Sequence, residues 1–356
     1  MSHGATLSDT KPTTSALRRW FAAPETSVLI VLVALLIYMA ATGRFGMFTN
    51  EFNRDSLTRT ISLQSFLAVG VLVVIITGGI DLSIGSLVAF AGMLLAVVMS
   101  RLADGGVSVP AAMGVGILVV LGASLLLGVI HAALIQFLKL PSFVVTLASM
   151  SMLRSGALLL NNALPLPIER FPFISFLGNQ KIWLAGTGFG IPVSTLLLVV
   201  LAGAMMLTLH LTQVGRHVYS VGSNEEASRL SGVSVFKVRL FAYGACSLFG
   251  GVAGILYAGY GGQGDPSAGV MFELNAISAA VIGGAALTGG RGSVIGTLLG
   301  VMLLEWILNI INLTLDNPTF WRGMVVGGVL LAAVVFNQVR QMNLLGRWLG
   351  GAARKA

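Results

Sequence analysis

Charged residues are scarce in this sequence. Only 10% of its 356 residues are Asp, Glu, Lys or Arg, whereas a typical soluble domain has about 25%. Thirteen acidic and twenty-one basic side chains are too few to cover globular domains of this size. Hydrophobic residues make up 56% of the chain, and the mean hydropathy is +0.91. The composition argues against a water-soluble enzyme and favours a polytopic membrane protein.

The residues that catalytic and metal sites require are also rare. A single cysteine, Cys246, excludes an intrachain disulfide. None of the five lysines follows a glycine, so the chain lacks the Gly-Lys-Ser/Thr turn that holds phosphates in nucleotide hydrolases. No histidine pairs with Cys, Asp or Glu at metal-ligand spacing. We therefore expect no enzyme activity, no metal site and no cofactor bound by this chain.

Long apolar segments are abundant. A membrane-spanning helix needs about 20 mostly apolar residues, and ten segments meet or approach that length. They are 26–42, 60–79, 83–100, 110–138, 143–161, 191–211, 239–260, 276–287, 294–313 and 321–337. The eighth is too short to cross alone. The sequence predicts an all-α polytopic membrane protein of about ten transmembrane helices, some of them broken or partial.

The distribution of basic residues sets the expected orientation. If both termini are in the cytoplasm, thirteen basic residues fall on the cytoplasmic side and eight on the outer side. Membrane proteins carry an excess of Lys and Arg on the cytoplasmic side, so this orientation is favoured. We expect a polar cytoplasmic tail at 1–25, a membrane domain at 26–338 and a basic cytoplasmic tail at 339–356. The domain would include an outer loop at 162–190 and a cytoplasmic segment at 215–239.

The segment 215–239 carries helix signals between two spans. Ser223 and Glu226 have the spacing of a capping box, and Gly232 is placed to end a helix in the left-handed conformation. Ser234 is expected to cap the next span. These signals predict a helix of about two turns, suited to docking on a cytosolic partner. A solvated loop that merely turns the chain is the alternative.

Two groups of polar residues interrupt the apolar runs. Asp81 and Ser83 stand between the second and third spans, where either can cap the third or Asp81 can line a cavity. Glu305, Asn309 and Asn312 share one helix face, so they line either a cavity or a helix contact. Arg154 is a candidate partner for one of the acids. Three GxxxG pairs predict packing faces: Gly250 with Gly254, Gly296 with Gly300, and Gly323 with Gly327.

At these motifs the chain resembles a known family, the permease subunit of bacterial ATP-binding-cassette importers of the ribose type. The resemblance covers nearly everything from 60 to 337. It is carried by residues 79–86 (GIDLSIGS), 140–147 (LPSFVVTL), 221–232 (VGSNEEASRLSG), 265–269 (DPSAG), 273–274 (EL), 283–284 (GG) and 287–292 (LTGGRG).

The resemblance implies a half-transporter in the bacterial inner membrane that pairs with a second permease copy, identical or paralogous. A periplasmic sugar-binding protein would deliver a monosaccharide, and cytosolic cassette ATPases would bind ATP and Mg²⁺ and drive transport. No nucleic acid is implied. The helix that contacts the ATPase would comprise Gly222, Ser223, Asn224, Glu225, Glu226, Ala227, Arg229, Leu230 and Gly232. Candidates for the translocation pathway or gate are Asp81, Ser83, Asn275, Glu305, Asn309 and Asn312.

The chain departs from the family pattern in its membrane segments. His131-Ala132 replaces a common Asn-Gly, Asn275 replaces an acid, and 283–287 reads Gly-Gly-Ala-Ala-Leu. Because these departures lie in membrane segments, they concern the identity of the solute more than the coupling to ATP. The alternatives are an importer of the same type for a nucleoside, an amino acid or a signalling sugar, a secondary transporter coupled to protons through Asp81 or Glu305, and a non-transporting scaffold.

Overall fold

The computed structural model describes residues 24–184 and 189–341. Within them the chain forms fourteen helices and four short strands. The helices are α1 Pro24–Ala41, α2 Phe45–Thr49, α3 Glu51–Ile76, α4 Ile84–Asp104, α5 Val109–Phe137, α6 Ser142–Leu159, α7 Pro172–Asn179, α8 Val193–Leu211, α9 Gln213–Ser223, α10 Glu225–Leu230, α11 Val235–Gly261, α12 Phe272–Ile282, α13 Val294–Thr314 and α14 Pro318–Gln341. The strands are β1 Leu166–Pro167, β2 Lys181–Leu184, β3 Phe189–Pro192 and β4 Gln263–Gly264.

Eight of these helices are long and apolar enough to cross a membrane, and two shorter apolar helices, Val28–Ala41 and α12, bring the number to ten. The ten correspond to the ten predicted segments, and the eighth, α12, is short, as predicted. The chain is an all-α polytopic membrane protein. The tails fall mainly at 1–23 and 342–356, which lie outside the described residues. The orientation of the termini stays a prediction.

Helix α3 occupies the centre of the bundle. Every residue from Ser62 to Ile76 is buried, and α3 packs against α8, α11, α12 and α13. Helices α4, α5 and α11 form a second closely packed group beside it. By contrast, only 6% of the residues along the apolar length of α14 are buried, as expected for a helix that faces lipid or another chain.

Two of the three predicted glycine pairs lie at helix contacts. Gly254 of α11 lies against Val88 and Ala91 of α4, and Gly300 of α13 lies against Ala279 of α12, so neither has room for a methyl group. Gly327 of the third pair has no neighbour within 4 Å of where a side chain would begin. The prediction of a packing face is confirmed for the first two pairs and is not supported for Gly327.

The predicted loop 162–190 is largely structured. Strand β1 pairs antiparallel with β4, joining Leu166 to Gly264, and β2 and β3 form a hairpin in which Trp183 pairs with Gly190. In the chain between β1 and β2, helix α7 packs against α11. Arg59 of α3 donates hydrogen bonds to the backbone carbonyls of Gly178 and Asn179, and this fastens the segment to the central helix.

Candidate functional site

The segment between α8 and α11 contains two helices, and the capping residue differs from the prediction. Asn224, not Ser223, caps α10: its Oδ1 accepts a hydrogen bond from the amide of Ala227 at 2.9 Å. Ser223 ends α9, and its hydroxyl donates to the carbonyl of Tyr219. Sequence reasoning missed α9, although Val214, Val218 and Val221 recur at helical spacing.

The end of α10 agrees better with the prediction from the sequence. Gly232 has a φ of 84°, in the left-handed region that glycine adopts without strain, so the predicted stop is confirmed. Ser234 occupies the position before α11, but its side chain makes no capping hydrogen bond. The prediction that Ser234 caps this span was wrong in that respect.

The surface of α10 that faces away from the bundle combines one apolar side chain with charged side chains that form ion pairs. Leu230 is 79% exposed. Arg229 donates to Glu226 at 2.7 Å, and this hydrogen bond raises the pKa of the guanidinium above its ordinary value. Arg239 of α11 donates to Glu225 at 2.7 Å and also to Gln136 of α5. The helix is therefore exposed on one side and held on the other by Arg239 of α11, which α5 holds in turn through Gln136.

The end of α9, which leads into α10, and the loop 283–293 both contact the end of the central helix α3. The amide of Gly290 donates to the carbonyl of Ile76, the last residue of α3, at 2.8 Å. Gly222 lies against the same carbonyl, so closely that a side chain there would overlap it. Tyr219 of α9 donates to the carbonyl of Gly292 at 2.8 Å. The end of α9 and the loop 283–293 therefore meet at the last residue of α3.

A cavity of about 450 Å³ opens beside α10. Its lining comes from the chain that follows α3, from the turn between α5 and α6, from α10 and from the start of α11. The side chains of Lys139, Ser142, Glu225, Arg239 and Tyr243 contribute to it. The cavity therefore separates α10 from the loop that carries Asp81.

Residues 77–83, here called the Asp81 loop, are held by side chains from α6. Ser142 accepts a hydrogen bond from the amide of Ile80 at 3.2 Å, and Thr146 donates to the carbonyl of Ile80 at 3.2 Å. Asp81 is 1% exposed. Its Oδ1 accepts hydrogen bonds from the amide and the hydroxyl of Ser83, at 2.8 and 2.7 Å.

These bonds refine the predicted role of Asp81. Ser83 stands immediately before α4, but its hydroxyl makes no capping bond to the helix because it donates to Asp81. Asp81 therefore orders the residue that enters α4, and Ser83 does not cap the helix with its own side chain.

On its other side Asp81 faces His131 of α5, which is fully buried. The Nδ1 atom of His131 lies 3.9 Å from Oδ2 of Asp81 and has no hydrogen-bond partner. Nε2 of His131 lies 2.8 Å from the hydroxyl of Ser149 on α6, and the imidazole stands edge-on to the ring of Tyr243 on α11. The Asp81 loop is therefore joined to α5, α6 and α11 through one buried polar cluster.

The other predicted pathway residues do not converge with Asp81. Asn309 and Asn53 exchange two hydrogen bonds between α13 and α3, at 2.8 and 3.1 Å, so Asn309 makes a helix contact. Glu305 and Asn275 are buried, and Asn312 is exposed. The polar face predicted on α13 thus divides into a helix contact, a buried acid and a surface amide.

Arg154 does not pair with Asp81 or Glu305, so that expectation was wrong. Its Nη1 donates to the backbone carbonyls of Pro266 and Ala268, at 3.2 and 2.5 Å. The carboxylates that act on it electrostatically belong to Glu273 and Asp265. Gly269 packs against Gly85, the second residue of α4, so the irregular segment 263–271 returns into the bundle and Arg154 holds it there. Nothing in the spacing of these residues reveals the contact.

Comparison with known proteins covers almost the whole chain. The model of the family described as "Branched-chain amino acid transport system / permease component" matches residues 53–334. The chain is 32% identical to the ribose import permease protein of Escherichia coli K12 over 320 residues, 89% of this chain and 94% of that protein. It is 31% identical to the xylose transport system permease protein of Haemophilus influenzae, covering 86% and 95% of the two chains. A probable ABC transporter permease of Sinorhizobium fredii is 35% identical, covering 88% and 90%. No solved structure matches.

Proposed function

The chain belongs to this family of transport-system permease components, and on that premise we propose that it is the membrane-spanning subunit of an ATP-driven monosaccharide importer in a bacterial inner membrane. A periplasmic binding protein delivers the sugar, and a second permease copy completes the pathway. ATP and Mg²⁺ are bound by a separate cytosolic subunit. The proposal places α10 on the cytoplasmic side.

The observation that carries the coupling to ATP is the construction of α10. It is a capped helix whose apolar residue Leu230 is exposed, while its first residue, Glu225, is bound by Arg239. The preceding helix, α9, packs against the carbonyl of Ile76 through Gly222. A solvated turn needs neither an exposed leucine nor these attachments. An apolar side chain surrounded by charges is what a groove on another protein can bind, and α9 would carry the motion of that partner into α3.

The sugar as solute is supported by the relatives. Two of them are named for ribose and xylose, and both cover nearly the full chain. Sugars are neutral and are bound by hydrogen bonds, which suits a chain with few charged side chains. The proposed pathway residues are Asp81, Ser83, Asn275, Glu305, Asn309 and Asn312, of which Asn309 also holds α13 against α3.

A second candidate solute is an amino acid. It is favoured by the description of the family model. The two solutes are separable by direct uptake, since radiolabelled ribose and leucine can be offered to the same reconstituted complex. Accumulation of leucine without ribose would replace the monosaccharide in the proposal and leave the coupling to ATP intact.

The role of α10 is tested with Leu230→Arg. Removing an apolar side chain that fills a pocket at the centre of an interface costs about 2 kcal/mol or more, which is roughly a thirtyfold weakening of affinity. We expect this variant to fold normally and to lose the ATPase subunit during co-purification. The matched control is Leu164→Arg, because Leu164 is 64% exposed on the outer segment. Equal retention of the ATPase by both variants would contradict the assignment of α10.

A further inference from the structure

The hydrogen bonds around His131 favour one of its two neutral forms. Ser149 donates its hydroxyl hydrogen to the carbonyl of Val145, one turn earlier in α6, at 3.0 Å. The hydroxyl oxygen is then an acceptor for the imidazole, 2.8 Å away. A neutral histidine has one N–H and one bare nitrogen, so with Nε2 as the donor the bare nitrogen is Nδ1.

With Nδ1 bare, two hydrogen-bond acceptors face each other, one on His131 and one on Asp81. Nδ1 would direct its lone pair at Oδ2 of an ionised Asp81, 3.9 Å away, with no other partner for Nδ1. Such a pair is repulsive in the interior of a protein. One additional hydrogen, on Nδ1 or on Oδ2, changes the contact into a hydrogen-bonded or ion-paired one that closes with a small shift of the loop.

The net charge of the buried cluster is a second reason to expect an additional hydrogen between Asp81 and His131. Asp81 is 1% exposed, and within the described ranges His131 is its one ion-pair partner. The other titratable groups that act on the carboxylate are Tyr243 and Cys246, both on α11, and these side chains are ordinarily neutral at pH 7. Helix α6 presents the hydroxyls of Ser142, Thr146 and Ser149 to the cluster. A carboxylate that is buried in a membrane bundle without a positively charged partner is costly, even when it accepts hydrogen bonds.

We propose that Asp81 and His131 together form a proton-binding site, which holds one proton at neutral pH and keeps the buried pair electrically neutral. The site goes beyond the proposed transport function and does not depend on it. The proton ties the Asp81 loop to α5, and this loop continues directly from Ile76, against which Gly222 at the end of α9 packs.

The thermal unfolding temperature of the detergent-purified full chain, measured from pH 6 to pH 8, tests the site. An unfolded histidine loses its proton near pH 6.5, whereas the folded pair keeps one. The folded state therefore binds more protons above that pH, and the unfolding temperature falls as pH rises. In Asp81→Asn the carboxamide N–H donates to a neutral Nδ1, the folded state needs no proton, and this contribution to the slope disappears.

The control is Asp104→Asn, which removes an exposed carboxylate and should keep the wild-type slope. The expected difference in slope between wild type and Asp81→Asn approaches one proton per chain. Equal slopes in all three proteins would overturn the proposal, because they mean that Asp81 is ionised and Nδ1–H already donates to it.

A second measurement reads the protonation of His131 directly in the wild-type protein. Nitrogen-15 NMR of histidine-labelled wild-type protein in lipid, with the His131 signal assigned by its loss in His131→Gln, reports which ring nitrogens carry hydrogen. Hydrogen on both ring nitrogens at pH 7, or on Nε2 together with a protonated Asp81 carboxyl in the carbon-13 spectrum, supports the proposal, and hydrogen on Nε2 alone beside an ionised carboxylate overturns the proposal. A bare Nε2 with a protonated Nδ1 overturns it.

Discussion

Arg239 donates to Glu225 at 2.7 Å and thereby joins α11, a central helix of the bundle, to the first residue of α10. The same guanidinium also donates to Gln136 of α5. Because the guanidinium is planar with several donors, one side chain can hold both partners in a fixed geometry. Three helices therefore meet at one arginine beside the cavity that separates α10 from the Asp81 loop.

Replacing Arg239 should uncouple transport from ATP hydrolysis. In Arg239→Gln the chain should stay folded, since a partly exposed ion pair contributes only about 0.2–1 kcal/mol, but α10 loses its tie to α5 and α11. Uptake per ATP hydrolysed should fall several-fold in reconstituted vesicles while the ATPase remains bound. The control is Arg101→Gln, because Arg101 is exposed near the C-terminal end of α4, at the opposite end of that helix from the Asp81 loop. Unchanged coupling in Arg239→Gln would show that this contact is dispensable.

Removing the side chain of Arg154 should release the segment 263–271. In Arg154→Gln the carbonyls of Pro266 and Ala268 lose a charged donor, which costs about 1.5–3 kcal/mol. We expect a lower unfolding temperature together with weaker uptake, because the segment lies against the start of α4. Arg154→Lys should restore part of the stability, since an ammonium can reach one carbonyl. Full stability of the Gln variant would argue that the segment is held by packing alone.

Glycine substitutions should separate the packed glycine pairs from the exposed one. Gly254→Ala forces a methyl group against the backbone of Val88 and should destabilise the chain by about 1–3 kcal/mol. Gly327→Ala meets nothing within 4 Å, and since alanine is the better helix former by about 1 kcal/mol, the variant should be unchanged or slightly more stable. Both unfolding temperatures can be measured in detergent. A stable Gly254→Ala would contradict the close contact of α11 with α4.

The fold was accessible from the sequence because its signals are local. Ten apolar runs, a left-handed stop at Gly232 and a short helix before it all follow from residues close together in the chain. The cap at Asn224 was missed because Ser223 has the same chemistry one residue earlier, and only the preceding helix α9 decides between them.

The polar cluster was not accessible from the sequence because its members are distant. Asp81 and His131 are fifty residues apart, on a loop and on a helix, and no spacing rule joins an acid to a histidine in that way. The same holds for Arg154 and the carbonyls of 266 and 268, since backbone atoms leave no mark on the sequence. Such contacts arise from which helices pack together, and the packing is decided by the whole apolar surface.

In the proposed importer, ATP that is bound by a partner subunit drives solute uptake through this chain. The direct test is ribose uptake into proteoliposomes that contain the permease, the cassette ATPase and the binding protein, with ATP supplied and ionophores added to abolish the proton gradient and membrane potential. We expect uptake that depends on ATP and continues after the gradients are removed. Uptake that collapses with the gradients while ATP remains would contradict it.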